Sequence, residues 1–384
     1  PDRWLSGRLL HRTRRHAHGA QPPGRCPARR GAFGGARRSL LVKTGLWPPP
    51  LQQPSLSAPL RRLLLQLLDG LSHLHALGIL HCKLRPASVL LNSHGTLKLS
   101  GLGLGRKDSP GAGAGQYLRN DSRQAVRDAM AADGFDPPEI MRAVVGGDTE
   151  VDALSMAAKK AADIFSAGVL IFWCLTAGQH PFGEDQGQRR TNVLRGEPPA
   201  LGQLRKLPEA QHLVTRMLHA EAESRLQAEQ ARKHPALWDD TEKLLFVRCV
   251  SDEPELTDES STFVLALEDQ SQSLFGPDGW GGRIHAELLA VLTAHRSYQH
   301  GCVRDLLRAV RNCDHLQGMP PEVQKLLLPR PAGIANYFLP RFPALFWALY
   351  SLAEQHWRSR RVFEPFFQWA AADHGSRPRS SGFL

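Results

Sequence analysis

The sequence predicts a mainly α-helical, α+β protein folded in two parts. Three observations predict it. Apolar residues recur at helical spacing through 60–74, 163–178, 203–237 and about 284–370, while strand-like runs are short and confined to residues 79–99. No unit of 20–50 residues repeats, which excludes a solenoid. The 384 residues, 42% hydrophobic and 22% charged, suffice for two or three domains and exclude a wholly disordered chain.

The net charge of +11 belongs to one end. Residues 1–50 hold ten Arg, Lys43 and a single acid, Asp2, a net of +10; the other 334 residues carry +1. With its eight Pro and seven Gly, segment 1–55 reads as a disordered basic tail, and any Arg-rich tail attracts phosphate unselectively. The longest apolar run, about ten residues from Gly168 to Ala177, is half of what a membrane span needs. No signal-peptide pattern opens the chain. Cys26, Cys82, Cys174, Cys249, Cys302 and Cys313 form no CxxC pair, which suits a reducing, cytoplasmic setting.

Order is expected from Ser57, an N-cap with Pro59 in the first turn behind it. Leu60, Leu63, Leu64, Leu67, Leu68, Leu71 and Leu74 follow three and four apart, a helix with one wide buried face that Gly78 ends. Val89–Leu91 and Thr96–Leu99 read as strands around a turn at Asn92–Gly95. A Gly-rich stretch from Gly101 leads into a polar region up to about Lys160. Segment 250–282, acidic and then Gly-rich, reads as a connector. The expected boundaries are 1–55, 56–240, 241–369 and a polar tail, 370–384.

The run His81-Cys82-Lys83-Leu84-Arg85-Pro86-Ala87-Ser88-Val89-Leu90-Leu91 resembles the catalytic loop of protein kinases, HRDLKPxNILL. Leu99–Gly103 stands where that family has its DFG segment, and Pro137-Pro138-Glu139 resembles its APE motif. Asp163–Gly168, Pro181-Phe182, Arg225 as partner of Glu139, and His234-Pro235 with Trp238 follow in register. The resemblance implies a kinase-like C-lobe. Phosphoryl transfer needs a carboxylate near the attacking hydroxyl and oxygen ligands for Mg²⁺. Here Lys83 occupies the base position, Ser88 replaces the metal-binding Asn, and Gly101 replaces the DFG Asp. No G-x-G-x-x-G with a VAIK-like strand precedes them. The expected state is a truncated pseudokinase lobe whose ATP and Mg²⁺ binding is lost; the rival, a Ser/Thr protein kinase, would have to incorporate phosphate from Mg-ATP.

On a helix starting at Val303, the residues Val303, Leu306, Leu307 and Val310 form a buried stripe, and Arg304, Arg308 and Arg311 a basic ridge beside it. Asp305 and Asn312 lie further round. The ridge could hold RNA phosphates, although pattern alone favours a solvated charged face near Asp305. This stretch, with Met319–Gln324, Asn336–Pro343, Trp280 and Phe363–Phe367, resembles the kinase-extension nuclease domain of the inositol-requiring-enzyme and ribonuclease L family, over roughly 241–369.

The resemblance implies an endoribonuclease that needs no metal or other cofactor and attacks phosphorus with the ribose 2′-hydroxyl. It also implies pairing through the kinase-like lobes, and a relationship to unfolded-protein signalling or RNA decay in the cytoplasm. Position by position, Tyr298 matches the family's catalytic tyrosine, and Arg311 with Asn312 its phosphate-binding pair; Arg304 and Arg308 are candidate RNA contacts. The family's histidine falls four residues after the Asn, where this chain has Leu316, with His315 one residue earlier. Three readings follow: His315 reaches the site through a local change of turn; His300 contributes, against its simpler reading as an exposed loop histidine; or the nuclease is crippled and the module is a relic or a scaffold that binds RNA without cutting it.

Overall fold

The computed structural model describes residues 56–92, 94–101, 134–146, 153–294 and 296–370. The expected tails at 1–55 and 371–384, and the Gly-rich stretch beyond Gly101, lie outside the described residues. The chain divides into two compact units between Arg232 and Lys233.

In the first unit, α1 (Ala58–Ala76) buries all seven leucines of its predicted stripe, each contributing roughly 1.5–3 kcal/mol. Ser57 holds the N-cap position, but its hydroxyl makes no capping bond; the first turn carries Pro59, whose missing N–H would have been unpaired there in any case. The short strands β1 (Val89–Leu91) and β2 (Leu97–Leu99) pair antiparallel, Val89 opposite Leu99. A lone hairpin is marginal. This one rests on α1, where Gln66 Oε1 accepts a bond from Leu97 N at 2.7 Å.

Next come α2 (Pro138–Gly146) and α3 (Met156–Leu175), which starts before the predicted 163 because Ser155 caps it, accepting from Ala158 N at 3.1 Å. α3 is buried on all sides from Asp163 to Phe172. Its Gly168 lets the backbone approach α5 (Pro208–Met217), which follows α4 (Gln186–Arg195): a Cβ there would stand 2.9 Å from Met217 Cβ. The helix pattern over 203–237 is interrupted after α5. Arg225 takes an extended backbone, and its guanidinium forks onto the Glu139 carboxylate at 2.6 and 2.8 Å before α6 (Ala228–Lys233) begins. That pair is the one the sequence predicted.

The second unit runs through α7 (Asp240–Ser251), α8 (Thr262–Glu268), α9 (Ser271–Phe275), α10 (Ala286–Thr293), α11 (Val303–Asn312), α12 (Pro321–Leu327), α13 (Ala332–Phe338) and α14 (Leu345–Trp357), closing on a 3₁₀ segment, Glu364–Ala370. Segment 250–282 is therefore no connector. Phe263, Val264 and Leu267 of α8 are buried, and Phe263 stacks on Trp357 with ring centroids 3.6 Å apart, a pairing worth about 1 kcal/mol beyond its area. His234 and Trp238, expected at the end of the first lobe, pack with aromatics of this unit: His234 against Trp369, and Trp238 among Phe246, Phe346, Tyr350 and Phe366.

Candidate active site

The second unit centres its candidate site on α11. Val303, Leu306, Leu307 and Val310 are buried as the pattern required, and the helix packs against α7 and α8. Its N-terminus has no cap of its own, since Cys302 in the N-cap position offers no acceptor to the helix. Glu268, at the end of α8, supplies one: its carboxylate accepts from Val303 N at 2.7 Å and Arg304 N at 3.0 Å. A carboxylate on unpaired amides at a helix start also meets the positive end of the dipole.

The loop before α11 carries Tyr298. Asp305, buried, accepts from Gln299 N at 2.7 Å and so ties this loop to the first turn of the helix. Trp280, fully buried, forms the wall behind it. The indole Nε1 donates to Cys302 O at 3.1 Å, the Trp280 amide donates to His300 O at 2.9 Å, and the ring meets Tyr298 edge-on at 5.9 Å. Glu268, Asp305 and Trp280 are thus positioning residues. Sequence reasoning missed Glu268 because nothing local marks an acid as a cap for a helix 35 residues away, and it placed Asp305 on α11 without its bond to the preceding loop. Trp280 had a signal, a lone tryptophan among glycines.

At the other end of α11, Asn312 Nδ2 donates to the Tyr298 hydroxyl at 2.7 Å. Both side chains are half-buried. Arg311, the residue before Asn312 in the chain, turns to the end of α7, with Nη1 3.1 Å from both Ser251 O and Asp252 Oδ1. The ridge of arginines is therefore not a bare cationic strip: Arg304 is paired with Glu268 and Glu259, and Arg308 with Asp305 at 2.7 Å. Arg308 remains about half exposed, so it has surface to offer a phosphate. His300 is not an exposed loop histidine. Its ring lies half-buried against Trp280 at 4.8 Å, over Gly279 and Gly281.

Beyond Asn312 the chain continues in a tight turn. Asp314 N donates to Arg311 O and His315 N to Asn312 O, at 3.2 and 3.0 Å. His315 is exposed, and Leu316 is half-buried. Arg330 donates to the carbonyls of Asp314 and Leu316 at 2.7 and 2.6 Å, and Arg248 Nε stands 2.8 Å from the Asp314 carboxylate. Burial pushes the Cys313 thiol up to about 12 and raises that of Cys302, so neither presents a thiolate nucleophile at neutral pH. Among the described residues no group of three His, Cys, Asp or Glu is arranged to hold a metal ion.

In the first unit, Asp163 accepts from the amides of His81 and Cys82 at 2.8 Å each and lies 3.0 Å from His75 Nε2, fixing the loop that carries Lys83. Burial lowers the basicity of His81, against the opposing charge of Asp163. Ser88 spends its hydroxyl inside the loop, accepting from Arg85 N and facing the carbonyls of Lys83 and Arg85. Gly101 is brought next to it, a Cβ at that position falling 4.0 Å from Ser88 Cβ. The two metal-ligand positions thus come together, with an occupied hydroxyl at one and no side chain at the other. That donor set does not fit Mg²⁺, a hard cation that takes carboxylates.

Comparison with known proteins matches residues 243–367 to the family model described as ribonuclease 2-5A, and residues 52–237 to the protein kinase domain. The serine/threonine-protein kinase/endoribonuclease IRE1 of Oryza sativa subsp. japonica is 32% identical over 321 residues, 82% of this chain and 33% of that protein. The sensor for unfolded proteins in the ER, ire1, of Schizosaccharomyces pombe is 30% identical over 335 residues, 82% and 30% of the two chains. The serine/threonine-protein kinase/endoribonuclease IRE2 of Homo sapiens is 34% identical over 290 residues, 73% and 29%. The chain thus spans about a third of the length of these curated relatives. A kinase-type domain followed at once by a ribonuclease 2-5A domain is an order of parts that neither half would specify alone, and on it the chain belongs to the inositol-requiring-enzyme and ribonuclease L family.

Proposed function

We propose that the second unit is an endoribonuclease that cleaves single-stranded RNA without metal, and that the first is a platform that no longer transfers phosphate. The observation that carries this reading is the bond from Asn312 Nδ2 to the Tyr298 hydroxyl, 2.7 Å, in the last turn of the helix that also carries Arg311. A phenol held by an amide, with an arginine as that amide's chain neighbour, is a set of groups suited to a phosphodiester. In the proposed reaction the ribose 2′-oxygen attacks phosphorus and its proton passes to a base. The bond from phosphorus to the 5′-oxygen breaks, and that oxygen takes a proton from an acid. The products are a 2′,3′-cyclic phosphate and a 5′-hydroxyl.

Tyr298 and His315 serve as the proton-transfer pair, since an imidazole both gives and takes protons near neutrality. Arg311 and the Asn312 amide hold the charged phosphate oxygens of the transition state. Arg308 and Arg304 would bind the flanking strand, Arg304 only by leaving its carboxylate partners. With Lys83, Ser88 and Gly101 at its centre, the first unit would neither position a hydroxyl nor retain Mg-ATP. Its proposed role is to pair two chains, each presenting its nuclease unit to RNA on the cytosolic side. Roles in unfolded-protein signalling or RNA decay come from the relatives' names alone.

The test incubates the purified chain with a stem-loop RNA in EDTA. Cleavage that survives chelation and falls by about 100-fold or more in Asn312→Ala supports the nuclease, the scale of losing one oxyanion donor. Intact RNA with retained binding supports a second reading, an RNA-binding scaffold, which is favoured by Leu316 at the family's histidine position. Leu316→His switching cleavage on would establish that second reading.

A further inference from the structure

We propose that Arg330 is a positioning residue for proton transfer, locking the turn after α11 so that His315 occupies the place which a four-residue helical spacing would give to position 316. The proposal rests on the nuclease reading above and deepens it. In an α-helix, residues three apart are rotated by about 300° and residues four apart by about 400°, so they fall about 60° to one side and about 40° to the other side of the starting direction. In a 3₁₀ turn, with three residues per turn, residue i+3 eclipses residue i. The chain beyond Asn312 is of this second kind. Asp314 N bonds back three residues to Arg311 O, His315 N bonds back three to Asn312 O, and Cys313 has φ −58° and ψ −26°. His315 therefore stacks above Asn312 with one residue fewer between them than the family's spacing requires.

Such a turn has poor hydrogen-bond geometry and persists only in short pieces. Arg330 holds it from outside. Its two terminal nitrogens reach the carbonyls of Asp314 and Leu316, at 2.7 and 2.6 Å, on either side of His315, and Nη2 also lies 3.3 Å from Met319 Sδ. The planar fork fixes both carbonyls at once, which the single ammonium of a lysine does not do. Arg248 holds the Asp314 carboxylate as a further tie. The backbone is thus clamped on both sides of residue 315 while the imidazole stays exposed.

The experiment measures kcat and KM for a stem-loop RNA in EDTA, with wild type, Arg330→Ala, Arg330→Lys, His315→Ala and the double variant His315→Ala/Arg330→Lys. The expected result is a loss in kcat of about 100-fold for either Arg330 variant, the scale of a small misplacement. KM should stay unchanged, and added guanidinium should partly restore Arg330→Ala. In the His315→Ala background Arg330→Lys should have no further effect, because the two residues act through one group. Should Arg330→Ala fail to fold, Arg330→Lys keeps the size and charge and carries the test. Full kcat in Arg330→Lys, or equal losses in both backgrounds, overturns the clamp while leaving the nuclease standing. An inert wild type overturns the nuclease reading, and the clamp with it.

Discussion

A methyl group on Gly279 would lie 2.4 Å from the carbonyl oxygen of His300, and the residue's φ of +73° is one that side chains rarely adopt. That carbonyl is the acceptor of the Trp280 amide, so the glycine permits the close approach by which the Trp280 wall grips the loop bearing Tyr298. Gly279→Ala should destabilise the second unit by about 1–3 kcal/mol, read as a lower melting temperature, and should weaken RNA cleavage more than RNA binding. Undiminished stability would mean the loop relaxes freely. At this scale the sequence was legible only where resemblance named the residue. Tyr298, Asn312 and the Glu139–Arg225 pair were found through motifs. Asp305 and Arg308 are an i,i+3 pair that helical spacing encodes, but the carboxylates on Arg304 and Arg311 come from Glu259, Glu268 and Asp252 on distant segments, and no local spacing encodes such encounters.

Among elements, α1 and α11 were legible because their apolar positions recur over several turns, so the buried stripe outlines itself. α8 and α9 were not. Helices of seven and five residues hold fewer than two periods, and the Ser, Asp and Gly that bound them look like loop chemistry. Yet α8 supplies the cap on which α11 starts. Glu268→Ala would leave the amides of Val303 and Arg304 unpaired and release Arg304 from its nearest carboxylate. The expected loss is about 1–2 kcal/mol in unfolding free energy, the usual range for a helix cap. It should appear as a lower urea midpoint with unchanged slope. A midpoint equal to wild type would show that water caps the helix equally well.

For the molecule as a whole, the two units should respond differently to acid. In the first, burial foremost, with the charge of Arg189, lowers the pKa of His180 to about 3; burial, with Arg216, lowers that of His212 to about 4. A histidine whose folded pKa lies below its unfolded value of about 6.5 takes up its proton more readily when unfolded. Its contribution is therefore complete above pH 6.5 and declines as pH falls toward 4. For His180 the decline reaches up to about 2 kcal/mol by pH 5. The geometry agrees with the sign, because His180 Nδ1 accepts from Phe182 N at 3.2 Å and cannot do so once protonated. In the second unit the shifted carboxyl of Glu255 is held down by the hydroxyl of Ser261, with Arg360 and Trp357 adding to the effect. Its contribution is present above the ordinary value of 4.5 and is lost only below it. Calorimetric scans from pH 7.5 to 5 should therefore show one transition moving down while the other holds. His180→Asn, which keeps an acceptor for Phe182 N and removes the titrating ring, should flatten part of the shift. If both transitions moved together and the variant changed nothing, the acid response would lie outside these two histidines.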